Sequence, residues 1–327
     1  MWVDNGIANV HLKRGSAVTI GAFDGVHRGH EALIRRMVGG AVRRGLVPVV
    51  VTFDPLPGQV LQPESYQLLS SLDERLDRIA SLGVQGTVIL PFDHAFMATP
   101  AGVFVDLLFH QLRMRGLWVG PDFALGKDRE GNVAFLRDAG LRQGFSVHVF
   151  EETVLWEGQP VRSSRIRGAL RSGDVQEANG CLGYAYRLTG TVTHGDGRGQ
   201  RLGFPTANLR ISDHRLLPAN GVYVCEAQLS GSRYAAMTNI GTRPTFDNGK
   251  RTVEAYLLDF DRDIYGAEMQ LAFLKRLRPE LRFSSVEALI EQMVEDETTA
   301  RHWLRIDGGV RCVEHPAVEP AAQDQRS

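Results

Sequence analysis

The chain has 327 residues, 43% hydrophobic and 23% charged, with a formal charge of −1 from 37 Lys plus Arg against 38 Asp plus Glu. This is ordinary globular composition with room for two domains, and so even a balance leaves no electrostatic footprint for nucleic acid or an anionic membrane. Cys181, Cys225 and Cys312 are scattered with no CxxC pair, which argues against a disulfide framework or a zinc site.

The first residues, MWVDNGIANVHLKRG, hold no apolar signal core, and no apolar run approaches ~18 residues. The expectation is a reduced, cytoplasmic protein with no nucleic-acid or membrane partner; composition leaves a homo-oligomer open. Up to about residue 150, the runs AVTIGAF, VPVVVTF, GTVIL, LWVG and SVHVF read as strands. Between them HEALIRRMVGGAVRRG, LDERLDRIASLG, AGVFVDLLFHQLRMRG and GNVAFLRDAGLRQG carry apolar residues at helical spacing. Strands apolar on both faces that alternate with helices predict a doubly wound parallel sheet.

After about residue 183 the texture changes. TGTVTHG, GVYVCEAQL, RYAAMTNIG, RTVEAYLLDF and AEMQLAFLKRL are strand-like and punctuated by Gly, Pro, Asn and Asp, which predicts an antiparallel barrel or sandwich. A closing helix is expected behind a Ser284/Glu287 capping box, with Val286, Leu289, Ile290, Met293 and Val294 as its apolar stripe. The expected domains are therefore 1–182 and 183–310. From about Arg311 the Pro/Ala/Gln-rich tail, 311–327, is expected to be disordered.

In an open parallel sheet, ligands bind beyond the carboxyl ends of the strands. The first such end carries Phe23-Asp24-Gly25-Val26-His27-Arg28-Gly29-His30, with a helix starting near His30. A helix N-terminus seats phosphate, Gly29 lets backbone approach it, and two imidazoles beside it could donate to charge developing at phosphorus. Capping or surface histidines are the bland alternative. GxGxxG is absent, and Gly120 to Lys127 (GPDFALGK) has one residue too many for a Walker loop and no Ser/Thr after Lys127. Hydride transfer and P-loop chemistry both lose ground. Other strand ends carry Asp54-Pro55, Asp93 and Asp122, and after the fifth strand Arg162-Ser163-Ser164-Arg165-Ile166-Arg167 opens a helical run fit to clamp a triphosphate.

In the second half, Thr193 to Asn208 (THGDGRGQRLGFPTAN) is the most informative stretch. Its glycines can turn N–H groups inward as an anion nest. Thr206 and Asn208 offer neutral oxygens two residues apart, suited to Mg²⁺ bridging to phosphates. Glu254 places a carboxylate between the apolar residues Val253 and Ala255 of a strand and could act as a general base; a solvent-facing edge-strand Glu is the competing reading.

HxGH with a distal Ser/Arg helix start resembles the nucleotidyltransferase superfamily. IGAFDGVHRGHEALI with VGPDF and SSRIRGAL is similar to the first module of the prokaryotic bifunctional riboflavin kinase/FMN adenylyltransferase (FAD synthetase) family. GTVTHGDGRGQRLGFPTANL, NIGTRPTF, VEAYLLDF and LRPELRF resemble flavokinases, in the same order, from about residue 183 to 305. The resemblance implies an HxGH-type α/β domain followed by a six-stranded antiparallel flavokinase barrel. It implies riboflavin phosphorylation to FMN with ATP and Mg²⁺, then attack of the FMN phosphate on the α-phosphorus of ATP to give FAD and pyrophosphate. His27 and His30 would stabilise that transition state. Gly21, Phe23, Asp24, Gly29, Ser163, Ser164 and Arg167 would hold the nucleotide, and Asp54, Asp122 and Phe123 the flavin. In the kinase, Glu254 would take the ribityl hydroxyl proton while Thr206 and Asn208 hold the metal. Gly195, Gly197, Arg198, Gly199, Gly203 and Pro205 would line ATP, and Asn239, Gly241, Thr242 and Arg278 the flavin.

Three departures from the family pattern border the first site. Leu56 stands where F-D-P-H-P would have His, Pro121 replaces the usual Glu of G-E-D-F, and Arg162 precedes Ser163-Ser164 where S-S-T is usual. The alternative they raise is a monofunctional riboflavin kinase whose first module is weak, retargeted or purely a flavin- or nucleotide-sensing binding unit. Arg162 could offset a lost donor by adding positive charge.

Overall fold

The computed structural model describes residues 1–8, 10–195, 199, 202–242 and 251–304. Gly197, Arg198 and the expected tail from Arg311 lie outside them. The chain divides into two compact units, one of Met1–Arg187 with Ser212–Ala219, the other of Leu188–Ile211 with Asn220–Ser327.

The first unit is built on β1 (Trp2–Asn5), β2 (Ser16–Ile20), β3 (Val47–Phe53), β4 (Gly86–Leu90), β5 (Met114–Val119), the hairpin strands β6 (Ala124–Leu125) and β7 (Gly131–Asn132), and β8 (Ser146–Val149). A two-stranded ribbon, β9 (Leu155–Trp156) and β10 (Gln159–Pro160), follows. The main sheet runs β1-β4-β3-β2-β5-β8, every pair parallel. Alternation along each strand sorts side chains to two faces. Val49, Val51 and Leu117 pack on one side with Phe104 and Leu108 of α5 (Ala101–Gln111) and Leu136 of α6 (Val133–Gln143). Ala17, Val50 and Trp118 pack on the other with Ile34 and Met37 of α1 (Arg28–Arg43) and Ile79 of α3 (Leu72–Ser81). Each such aliphatic burial contributes about 1.5–3 kcal/mol. The chain leaves β2 toward β3 and later returns to its other neighbour, β5, so the sheet has its switch point between β2 and β5.

Local chemistry explains the element ends. Helix α2 (Pro57–Leu61) starts on a proline, and α4 (His94–Met97) is capped by Asp93, which accepts from the Phe96 N–H at 2.7 Å. Before α3, Ser71 and Glu74 form a reciprocal capping box at 3.1 and 2.9 Å. Helices α7 (Ser163–Ser172) and α8 (Val175–Leu182) each end on a left-handed glycine, Gly173 and Gly183. The helix predicted over AGVFVDLLFHQLRMRG, which ends at Gly116, stops at Gln111, because Met114 already begins β5.

The second unit is a closed barrel of β11 (Tyr186–Thr193), β12 (Ala207–Arg210), β13 (Gly221–Leu229), β14 (Ser232–Thr242), β15 (Arg251–Leu257) and β16 (Glu268–Arg278), ordered β11-β12-β15-β14-β13-β16. Of the strands in the main sheet and the barrel, the sequence reading missed two, β1 and β12. The first is half exposed and therefore not apolar; the second is hidden in the Pro-Thr-Ala-Asn motif.

The closing helix α9 (Val286–Leu304) corrects two expectations. Its cap is Ser285, whose Oγ accepts from the Ala288 N–H at 3.2 Å, rather than Ser284 with Glu287. With Ser285 as N-cap the third helical position is Ala288, so no box can form. The buried face runs through Asp296 and Ala300, while Val286 and Val294 are exposed. The helix is held by Ala300 and Trp303 against Val224 and Met237, and by Asp296, which takes the Arg278 guanidinium at 2.7 Å. The other three stripe residues, Leu289, Ile290 and Met293, are only partly buried, so the buried acid with a dedicated partner marks the packed face.

Candidate active sites

The two histidines sit where a strand end becomes a helix start. After β2, one 3-10 turn over Asp24–Val26 delivers the chain to His27, the N-cap of α1. This turn holds Phe23 and β-branched Val26 at φ 49° and 37°, conformations that cost roughly 1–3 kcal/mol each and cluster at functional sites. His27 Nδ1 accepts from the His30 N–H at 3.3 Å, so the proton of the neutral ring lies on Nε2. The imidazoles stack at 3.6 Å between centroids, and Phe23 meets His30 edge-on at 5.2 Å. A Cβ on Gly29 would press on the His27 ring at 3.2 Å, and one on Gly21 on the Phe23 ring at 3.0 Å.

His27 is 6% exposed. Burial pushes its imidazole down to about 4, and the charge of Arg167 adds to the effect. Burial and the neighbouring His27 hold His30 well below the ordinary histidine value. Both rings are therefore neutral near pH 7, able to donate one N–H each without carrying charge.

Asp24, 2% exposed, is occupied by protein groups. It accepts from the Leu69 and Ser70 N–H groups at 3.0 and 3.1 Å and pairs with Arg167. Arg167 Nε also donates to the Gln67 carbonyl at 3.0 Å. The Val161 carbonyl lies 3.9 Å from where a Gly29 Cβ would stand, so the start of α7 adjoins the start of α1. Ser163 and Ser164 open α7, and Arg162 before them is exposed with no side-chain capping bond. Two helix N-termini thus meet beside the histidines, a natural seat for phosphates.

A cavity of about 420 Å³ opens at the carboxyl ends of the strands, lined by Ile20, Phe53, Phe92, Phe96, Phe104 and Phe123 among others. Its wall is mostly apolar and aromatic, as a planar ring system requires. Of the three residues expected there, Phe123 lines it. Asp54 instead stands 4.0 Å from Arg75, and Asp122 is exposed, its carbonyl accepting from Arg129 at 3.0 Å. Phe53, Phe92, Phe96 and Phe104 escaped the sequence reading because aromatic residues at strand ends and in a core helix look alike without coordinates. Leu56 is 1% exposed and belongs to the core cluster that also contains Ile20, Phe53 and Phe104.

The second unit has a different kind of site. Asn208 on β12 lies directly opposite Glu254 on β15, which lies opposite Asn239 on β14. Opposed residues share a face, and Val253 and Ala255 on either side of Glu254 are buried. The row Asn208–Glu254–Asn239 therefore projects from the wall opposite to the barrel core. The two described glycines at the start of the glycine loop lie close to it: a Cβ on Gly195 would overlap the Asn208 amide, and one on Gly199 would lie 3.2 Å from Thr206 Oγ1. Gly203 holds φ 85° before Pro205. A 320 Å³ cavity beside this loop is lined by Pro205, Thr206, Phe260, Arg262 and Tyr265 among others.

The remaining expected residues stand at the barrel rim. A Cβ on Gly241 would meet the Glu280 carboxylate at 2.7 Å; Thr242 accepts from Asn220 at 3.0 Å. Arg278 is spent on Asp296. Among the described residues no cluster of three His, Cys, Asp or Glu could hold a metal. Thr206 and Asn208 carry neutral side-chain oxygens, a donor set that fits Mg²⁺, which takes few protein ligands and keeps water and phosphate for the rest.

An HxGH turn at the switch point of a parallel sheet defines a nucleotidyltransferase-type unit, and the barrel with its Thr-Ala-Asn and glutamate row defines a flavokinase-type unit. Comparison with known proteins agrees. The riboflavin kinase family model matches residues 182–304 and the FAD synthetase family model residues 10–165. Bifunctional riboflavin kinase/FMN adenylyltransferases are similar over most of the chain. That of Pseudomonas fluorescens is 38% identical over 92% of this chain and 97% of its own, and that of Listeria monocytogenes serovar 1/2a 37% identical over 87% and 91%. A solved Streptococcus pneumoniae structure, described as a macrolide-efflux protein, superposes with a TM-score of 0.84 at 30% identity over 92% of this chain and 98% of its own. No described helix here is long and apolar enough to cross a membrane. The chain belongs to the bifunctional riboflavin kinase/FMN adenylyltransferase family.

Proposed function

We propose that this chain makes FMN and then FAD: it phosphorylates riboflavin with ATP in the barrel, and adenylylates FMN in the α/β unit with release of pyrophosphate. The observation that carries this is the presence in one chain of two separately complete polar arrangements, the His27–His30 turn and the Asn208–Glu254–Asn239 row.

In the kinase, Glu254 takes the proton of the ribityl 5′-hydroxyl as the hydroxyl oxygen attacks the γ-phosphorus of ATP, and the bond from that phosphorus to the β,γ-bridging oxygen breaks to release ADP. Thr206 and Asn208 hold Mg²⁺, which when bound neutralises phosphate oxygens. Gly195 and Gly199 border the nucleotide phosphates. Asn239, Gly241 and Thr242 face the flavin, and Arg278 shapes that edge by fixing β16 to α9. In the adenylyltransferase, the FMN phosphate is already an anionic nucleophile, so no base is needed. The starts of α1 and α7, with Ser163 and Ser164, receive the triphosphate, and His27 and His30 donate N–H groups to charge developing at the α-phosphorus. The aromatic cavity receives the isoalloxazine ring. Buried, free Cys181 and Cys225 fit a reducing, cytoplasmic setting.

Leu56 does not favour the monofunctional alternative, since its side chain fills core rather than leaving a gap at the phosphates. Two variants test the assignment. Glu254→Gln should abolish FMN formation and leave FAD formation from added FMN intact, and His30→Gln the reverse. A variant that removes both activities while the chain stays folded would contradict two independent sites.

A further inference from the structure

The first unit is discontinuous: after Arg187 it takes in Ser212–Ala219, which lie in sequence between β12 and β13. These residues join it through a single isolated β-bridge. The Leu68 N–H donates to the His214 carbonyl at 2.8 Å and the Leu216 N–H to the Leu68 carbonyl at 3.0 Å, a parallel bridge centred on Leu68 and Arg215. Between those two bonds Arg215 is 6% exposed. Its guanidinium pairs with Glu74 at 2.7 Å and donates to the Arg187 carbonyl at 2.6 Å. The Tyr186 hydroxyl donates to the Leu216 carbonyl at 2.6 Å, closing the clamp from its other side.

The stretch that receives this bridge faces the HxGH turn with its remaining groups. Gln67 gives its carbonyl to Arg167, and Leu69 and Ser70 give their N–H groups to Asp24. The Tyr66 ring lies 4.5 Å from the Arg167 guanidinium and its hydroxyl reaches Asp24 at 3.3 Å. Both members of the Asp24–Arg167 pair are thus referenced to one five-residue stretch, whose Leu68 bonds are made to residues on either side of Arg215. A shift of that stretch would carry Arg167 with it rather than unpair it, and displacements of about 1 Å near reacting groups can cost ~10²-fold.

We propose that Arg215 is a positioning residue for adenylyl transfer, clamping the 66–70 stretch so that Arg167 keeps its place beside His27 and the triphosphate seat. This rests on the adenylyltransferase reading of the first unit. Arg215 touches no substrate; it acts through Leu68 and the Asp24–Arg167 pair. Its burial against Glu74 and a backbone carbonyl makes its removal costly locally, since both acceptors lose a charged donor together.

The experiment uses the full chain as wild type, Arg215→Ala and Arg215→Lys. FAD formation from FMN gives kcat and the KM for ATP separately; riboflavin phosphorylation and thermal unfolding are measured on the same samples. Arg215→Ala should raise the ATP KM of adenylyl transfer about tenfold, the loss of one charged hydrogen bond, with kinase constants unchanged. Arg215→Lys, able to keep the Glu74 pair but not the donation to Arg187, should fall between the two and serves also where the alanine variant does not fold. An unchanged ATP KM, or a lower kcat that merely follows the folded fraction, would overturn the inference and leave Arg215 structural. A wild-type chain that makes no FAD from FMN would instead remove the reading beneath it.

Discussion

Asn208 and Glu254 stand directly opposite each other on β12 and β15, and the Gly195 backbone lies against the Asn208 amide so closely that no Cβ fits between them. The glycine is there for proximity rather than for a left-handed backbone. Gly195→Ala should therefore displace Asn208, lower riboflavin phosphorylation by about tenfold or more, and raise the Mg²⁺ concentration needed for half-maximal rate. FAD formation from added FMN should not change. Steady-state rates over a Mg²⁺ titration check both halves.

Leu56 marks the most conspicuous departure from the family pattern, and the structure places it in the apolar core. Placing an imidazole there buries a polar group without an assigned partner, at about 1–3 kcal/mol. Leu56→His should lower the melting temperature of the first unit and leave FAD formation no faster than in the wild type. A sharp rise in FAD formation would show that Leu56 is a functional loss.

The buried histidines tie stability of the first unit to pH. His27 titrates near 6.5 when unfolded and at about 4 when folded, so the unfolded chain binds the extra proton first. Its contribution is fully present above 6.5, falls as pH drops through this window, and is lost below about 4. The span is on the order of 3 kcal/mol. Thermal unfolding between pH 7 and 4 should show that slope, and His27→Asn should flatten it.

The aromatic cavity makes a substrate-specific prediction. Phe96 meets Phe104 at 5.2 Å and Phe53 at 5.7 Å between centroids. Phe96→Ala should raise the KM for FMN in adenylyl transfer by about tenfold, from lost apolar and ring contact, with the ATP KM little changed. An effect on ATP alone would place the flavin elsewhere.

Much of this was legible in the residues. Short continuous apolar runs set between helical stretches marked β2 to β5, and the HxGH and Pro-Thr-Ala-Asn motifs were recognisable because glycines and polar groups sit at fixed offsets from strand ends. What was not legible depended on distant partners. Nothing local says that Asp24 is taken by Leu69, Ser70 and Arg167, that Arg278 belongs to Asp296, or that Ser212–Ala219 fold with the first unit. The closing helix was legible as a helix, but its buried face was not, because the surface it meets selected Asp296 and Ala300.

The most direct measurement is a time course of the purified chain with riboflavin and MgATP, separating riboflavin, FMN and FAD by chromatography. Two working sites predict FMN that rises first and is then consumed as FAD appears. FMN that accumulates with no FAD, under conditions where the first unit is folded, would contradict the bifunctional account.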